Sequence, residues 1–144
     1  MNARIINDQL DLQQVQDLLR SNKLPYQDIQ LDGNILISYH DGDGKMIGSG
    51  GLEFYNSYAL LRSVAVDEKQ RGKSFGKYIV GDLLDRARGN SMKSVFLLTE
   101  TAHDFFLQRG FVDTSRDRVP VEIKESSEFK SVCPVSATCM VYHL

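Results

Sequence analysis

Tryptophan is absent from this 144-residue chain, and proline and cysteine are scarce, at three and two residues. Two cysteines, Cys133 and Cys139, cannot build the disulfide framework of a small secreted domain. Their spacing matches no zinc-ligand pattern and no second Cys/His pair lies near them, so no metal is expected and buried free thiols are. Neither sign of charge dominates: 17 Lys and Arg stand against 19 Asp and Glu, a formal net charge of −2. That excludes the basic field that draws a chain to nucleic acid or to an anionic membrane. No apolar run approaches membrane-spanning length, and the opening MNARIINDQL has no apolar signal-peptide core. A soluble, reducing, cytoplasmic setting is therefore expected. What is present is ordinary for a globular chain, 42% hydrophobic and 25% charged. The length suits one domain over 1–144 with a core of its own.

No repeat or low-complexity stretch interrupts the chain. Ala3–Ile6 reads as a short strand. Leu12, Val15, Leu18 and Leu19 follow at helical spacing, with Asp11 as the expected cap, Gln14 three residues on, and Pro25 as the stop. Asn34–His40 and Lys45–Phe54 flank Asp41-Gly42-Asp43-Gly44, a hairpin signal. Gly48, Gly50 and Gly51 in the second of these strands predict a bulge or a close backbone approach. Ser57–Val66 is an apolar strand whose single charge is Arg62. Phe75, Ile79, Val80, Leu83, Leu84 and Ala87 then mark one face of a helix, with Asp82 and Arg86 paired on another, and Gly89-Asn90 ends it. Lys93–Thr99 reads as a strand buried on both faces. Thr101 and Asp104 resemble a capping box for a helix through Arg109, and Gly110 closes it before an extended piece from Phe111. Pro120–Phe129 reads as a short helix and Ala137–Leu144 as the last strand. The order β-α-β-β-β-α-β-α-β predicts an α+β mixed-sheet fold with an antiparallel meander and one parallel crossover.

Chemistry concentrates in the turn after the fourth strand. Val64 and Val66 lead into Asp67-Glu68-Lys69-Gln70-Arg71-Gly72-Lys73-Ser74-Phe75-Gly76-Lys77, where a helix opens. The first turn of a helix offers free backbone N–H groups and a positive dipole end. Gly72 and Gly76 permit close approach, and Arg71, Lys73 and Lys77 add positive charge, so the turn can cradle a pyrophosphate. A plain strand-to-helix turn with solvated lysines is the competing reading. The stretch has neither the dinucleotide pattern G-x-G-x-x-G nor the G-K-[ST] of a triphosphate loop.

The stretch SVAVDEKQRGKSFGKYIV resembles the acetyl-CoA motif of GCN5-related N-acetyltransferases (GNAT), [QR]-x-x-G-x-[GA] after an apolar strand. Arg71 takes the first position and Gly76 the last, with Ser74 where the middle glycine is usual. The segment TAHDFFLQRGF resembles the family's helix followed by Gly-Phe, so the likeness covers nearly the whole chain. Arg118-x-Pro120-x-x-Ile123, Glu128-Phe129 and Cys133-Pro134-x-Ser136-Ala137-x-x-Met140 are similar to small arsenic-resistance N-acetyltransferases. The TAH-x-F segment is similar to N-acetylglutamate synthases, which carry an arginine where this chain has Glu100.

The resemblance implies an acyl-CoA N-acyltransferase fold, acetyl-CoA as co-substrate, no metal, and a small amino-acid-like amine as acceptor. It leaves room for a homodimer. It implies that Val64, Val66 and Arg71, Gly72, Lys73, Ser74, Phe75, Gly76 and Lys77 hold the cofactor, with a backbone N–H at Val64 polarising the thioester carbonyl. The strand carrying Val64 and Val66 should splay from its neighbour. Phe106 stands where many relatives place a tyrosine acid and cannot donate a proton. Glu53, beside the glycine cluster, is the first candidate base, or else a solvent-facing strand carboxylate. Glu100 and His103 follow the fifth strand and are candidates for the acceptor side, or else surface residues. Arg62 reaches the acceptor or pairs with a carboxylate on a neighbouring strand. Two other functions compete: a non-catalytic acyl-CoA-binding module, and a peptide or protein N-acetyltransferase.

Overall fold

A computed structural model describes residues 1–132 and 136–144, with the backbone alone at 131 and 132. Cys133 lies outside the described residues. Seven strands form one sheet in the order β1-β2-β3-β4-β5-β7-β6. They are β1 (Asn2–Ile5), β2 (Ile35–His40), β3 (Met46–Tyr55), β4 (Tyr58–Val66), β5 (Ser94–Thr99), β6 (Val112–Asp113) and β7 (Thr138–His143). The helices are α1 (Gln9–Ser21), α2 (Phe75–Gly89), α3 (His103–Gln108) and α4 (Val121–Lys124). All neighbouring strands are antiparallel except β4 and β5, which the α2 crossover makes parallel. This is the expected mixed sheet, with β6 as an added edge strand.

Two layers of helix cover the sheet. On one face Ile79, Val80, Leu83 and Ala87 of α2 bury against Ile37, Tyr39, Leu52 and Val95, and Phe106 of α3 joins them. On the other, Leu12, Val15 and Leu19 of α1 meet Leu36 and Ala65, while Ile123 of α4 meets Leu60, Phe96 and Val141. Tyr39 ties β2 to α2: its hydroxyl donates to Asp82 at 2.8 Å, and Asp82 also accepts from Arg86 Nε at 2.9 Å. Cys139 is a buried free thiol, as expected for that cysteine, and burial pushes its pKa up to about 11.

The glycines of β3 answer to α2. A Cβ at Gly48 would stand 2.7 Å from the Ala65 carbonyl and 2.8 Å from Ile79 Cδ1, and one at Gly50 would stand 2.7 Å from Leu83 Cδ1. A bulge is present too, but its extra residue is on β4. Gly51 opposes Arg62 and Ser49 opposes Ala65, so Gly50 alone faces the pair Ser63–Val64. Ser63 takes φ +62°, and its carbonyl accepts from Ser49 Oγ at 2.7 Å. The bulge reverses the alternation of β4. Ala59 and Leu61 face α2 before it, and Val64 and Val66 after it.

Both expected caps sit elsewhere. Asp8 caps α1 by accepting from Asp11 N at 2.8 Å, so Asp11 is the third helical residue. The helix ends at Ser21, before Pro25. At α3, Thr99 Oγ1 accepts from Ala102 N at 3.0 Å, and neither Thr101 nor Asp104 caps it. In both cases a residue outside the expected motif reaches the orphan N–H groups first. The expected helix over Pro120–Phe129 divides into α4 and a π-helical turn, Glu128–Val132.

Candidate active-site cleft

The β4–β5 ladder runs only from Tyr58/Ser94 to Leu60/Phe96. Both strands continue beyond it, to Val66 and Thr99. Among the described residues, the β4 edge from Leu61 onward therefore has no strand partner on the β5 side. A cleft of about 1070 Å³ opens in the fork. Its walls are Leu61–Val66 of β4 and Leu97–Thr99 of β5, and its ends differ in character. An extended backbone edge facing a cleft has N–H and C=O groups to offer a ligand, the chemistry by which an elongated amide-bearing molecule can add to a sheet.

One end is cationic and rich in N–H donors. Arg71, Gly72, Ser74, Phe75, Gly76 and Lys77 line it, where α2 begins. A single 3₁₀ turn, Glu68–Gln70, capped by Asp67 through Lys69 N at 3.0 Å, brings the chain from β4 into this turn. Gly72 (φ +82°) and Ser74 (φ +65°) are both left-handed, and Ser74 is the α2 N-cap with no side-chain capping bond. A Cβ at Gly76 would press on the Phe105 ring at 3.2 Å, so this glycine sets how closely α2 and α3 approach. Arg71 Nη2 donates to Asn22 Oδ1 at the C-terminus of α1. Lys73, by contrast, does not line the cleft; its Nζ donates to Gln70 Oε1 at 3.2 Å. Free amides, a helix dipole and two cations at one point suit a diphosphate.

The other end holds buried charge. Arg62 is 5% exposed and lines the cleft. Its Nη1 and Nη2 donate to the two oxygens of Asp28 at 2.6 and 2.7 Å, and Nη1 also donates to Glu53 Oε2 at 3.2 Å. Ser127 Oγ donates to Asp28 Oδ2 at 2.5 Å, joining the loop after α1 to the segment after α4. Burial works to raise the Asp28 pKa, yet its bonds from Arg62 and Ser127 hold it below the ordinary value. Tyr55 donates to Glu53 Oε1 at 2.6 Å, and burial followed by that bond pushes the phenol pKa up.

These contacts place the candidate residues. Arg62 pairs with a neighbouring strand's carboxylate, one of the two alternatives expected of it, and it lines the cleft. Glu53 is 6% exposed, so the solvent-facing alternative is corrected. It is also absent from the cleft wall, with an oxygen given to each of Tyr55 and Arg62, because its side chain is turned into the ion-pair network. Glu100 lines the cleft at an exposed position. His103 does not line it; Nε2 sits 2.6 Å from Asp113 Oδ1 and Nδ1 3.3 Å from Asp104 Oδ1, at the surface. Its hydrogen bonds to the carboxylates of Asp113 and Asp104 raise its pKa. Phe106 lines the cleft and packs edge-on to Phe105 and Phe111.

Sequence reasoning missed Glu128 as a site residue. It is 5% exposed and lines the cleft near Arg62, whose charge it helps to hold. Ile123 and Phe129 mark an inward side in the sequence, but nothing in the run separates Glu128 from the half-exposed Glu122 and the exposed Glu125. The π turn selects it, a local form often found at functional positions.

The comparisons with known proteins agree with this geometry. The model of the acetyltransferase (GNAT) family matches residues 5–111. An amino-acid acetyltransferase of Mycobacterium tuberculosis (strain ATCC 25618 / H37Rv) is 37% identical over 82 residues, which are 56% of this chain and 46% of that protein. The chain thus spans less than half the length of that curated relative. The crystal structure of Rv2747 from Mycobacterium tuberculosis, in complex with CoA and NLQ, superposes with a TM-score of 0.79 at 23% identity, covering 100% of this chain and 99% of that one. N-acetylglutamate synthase from Neisseria gonorrhoeae, complexed with coenzyme A and N-acetyl-glutamate, gives 0.79 at 18% identity, over 100% of this chain and 35% of that one. At these identities the two structures share the fold. With a forked fourth and fifth strand, a glycine-bearing cationic turn opening α2, and a family match over most of its length, this chain belongs to the acetyltransferase (GNAT) family.

Proposed function

We propose that this chain transfers an acetyl group from acetyl-CoA to the amine of a small, amino-acid-like molecule. The observation that carries the reading is the fork: the β4 edge that, among the described residues, has no partner on the β5 side leads straight to the amides and cations that open α2. The residues fit the cofactor. The first-turn amides of Ser74, Phe75 and Gly76, with Arg71 and Lys77, would take the diphosphate, and the edge at Val64 and Val66 would take the amide-bearing arm. Gly72 supplies the turn, and Lys73 adds charge nearby. When bound, acetyl-CoA supplies a thioester, an activated acyl group with a good leaving thiolate.

The chain's own residues then have three tasks. The β4 backbone holds the thioester carbonyl and donates an N–H to its oxygen, a contribution of about 3 kcal/mol in comparable sites. A carboxylate takes one proton from the attacking amine. Glu128 is our assignment for this step, since it is the buried carboxylate in the cleft wall, whereas Glu53 is turned into the Arg62 network. The walls exclude water through Leu61, Leu97 and Phe106. The new C–N bond forms as the C–S bond breaks; the thiolate needs no acid from Phe106 because thiols ionise at moderate pH. Glu100 would meet the acceptor at the mouth of the cleft, and the position of His103 supports a role there less than one at the surface.

The finer likeness to arsenic-resistance-type acetyltransferases rests on the C-terminal motif and belongs to this proposal, as do a cytoplasmic setting and a homodimer. Among the described residues no helix is long and apolar enough to cross a membrane. A non-catalytic acyl-CoA-binding module is the second reading, favoured by Phe106 at the acid position. One assay separates the two: acetyl-CoA with a panel of amino acids and amines, following free thiol. Acceptor-dependent thiol release supports the transferase. A thermal shift with acetyl-CoA but no turnover on any amine would establish the module.

A further inference from the structure

Arg62 enters the cleft wall with its charge already answered. One guanidinium faces two carboxylates, Asp28 in a bidentate pair and Glu53 at 3.2 Å, inside a network whose members are largely withdrawn from water. Among the described residues its Nε has no hydrogen-bond partner, although the side chain is only 3% exposed. With less than 1 Å² of its surface exposed that N–H is closed to a ligand atom, so what Arg62 brings to the cleft wall is a charge already neutralised. The charge around it decides which acceptor the wall admits. An incoming carboxylate would meet Asp28 and Glu53 behind the guanidinium, with Glu128 in the same wall. Two like charges a few ångströms apart in such surroundings oppose each other by an amount worth on the order of 100-fold in affinity. A neutral amide meets no such opposition, while the carboxylates draw the ammonium beside it.

We propose that the acceptor of this cleft is an α-amino amide and not a free α-amino acid: Arg62 reaches the wall with its charge already answered, and Asp28 and Glu53 turn the α-carboxylate away. This rests on the acetyltransferase reading above and narrows it. Asp28 is the specificity-determining residue, because it neutralises Arg62 from a loop that also carries the cleft-lining residues Lys23 and Pro25. Ser127 holds Asp28 in place from the far end of the chain.

The test compares matched pairs, alanine with alaninamide and leucine with leucinamide, with a tripeptide amide as a separate arm, by kcat/KM for thiol release. The wild-type protein should prefer amides on the order of 100-fold, beyond what the lower basicity of their amines explains. The variant Asp28→Asn removes one negative charge, and the amide-to-acid ratio should fall at least 10-fold. That change of ratio cancels the different basicity of the two amines. Should Asp28→Asn fail to fold, Glu53→Gln removes the second charge and should move the ratio the same way. Turnover of the tripeptide amide with the small amides marks a chain N-terminus as the acceptor, and turnover of the small amides alone marks a free metabolite; both support the charge rule. Free acids outrunning their amides, or a ratio unmoved in the folded variants, would overturn it. Absence of turnover with every amine despite acetyl-CoA binding would instead remove the transferase reading beneath it.

Discussion

Ser74 offers a sharp test of how the α2 turn is built. It holds φ +65° and ψ 17° at the α2 N-cap, and its hydroxyl makes no capping bond. The left-handed region costs a residue with a Cβ about 1–2 kcal/mol. Glycine escapes that cost but gives back about 0.4–1 kcal/mol through its freer unfolded chain. Ser74→Gly should therefore stabilise the protein by about 0.5–1 kcal/mol, or roughly 2–3 °C in melting temperature at this size. Ser74→Ala keeps the Cβ and loses no capping bond, so it should melt close to wild type. Differential scanning calorimetry on the three proteins without ligand reads the effect. A lower melting temperature for the glycine variant, or equal gains from glycine and alanine, would refute the reasoning.

Other consequences are as specific. Gly48→Ala sets a Cβ 2.7 Å from the Ala65 carbonyl, a backbone atom that cannot swing aside, and should cost about 2–3 kcal/mol by urea unfolding. Glu128→Gln should lower kcat by about 10²–10³-fold and leave acetyl-CoA affinity unchanged; a fall in affinity with kcat intact would remove it as the base. His103 is raised by Asp113 and Asp104 above its ordinary 6.5, so its pairing stabilises the fold below that value and fades as pH rises through the folded one. Asp113→Asn should flatten that part of the melting-temperature profile, and an unchanged profile would contradict the assignment.

Much of this was legible in the residues. The α2 face, the meander, the crossover and the phosphate turn follow from spacing and glycine placement, which are local. The β4 bulge was only half legible. Glycines in β3 announced it, but the inserted residue belongs to the partner strand, where Arg62-Ser63-Val64 carries no glycine to mark the left-handed position. Both helix caps were misplaced for a similar reason: Asp8 and Asp11, or Thr99 and Thr101, offer the same chemistry a few residues apart, and tertiary contacts choose between them. The acceptor end was the least legible. Asp28, Arg62 and Ser127 are separated by 34 and 99 positions and meet only because two loops close over the same strand. Glu53 was noticed for its chemistry, yet whether it faces solvent, the cleft or a guanidinium depends on strand parity and on a loop that no periodicity describes.

Isothermal titration of acetyl-CoA into the wild-type protein and into Arg71→Glu, a charge reversal at the mouth of the α2 amides, tests the cofactor site most directly. The account predicts one binding event of at least micromolar strength in the wild type and its loss in the variant, with the fold retained. No heat in the wild type, or equal heat in both proteins, would contradict it.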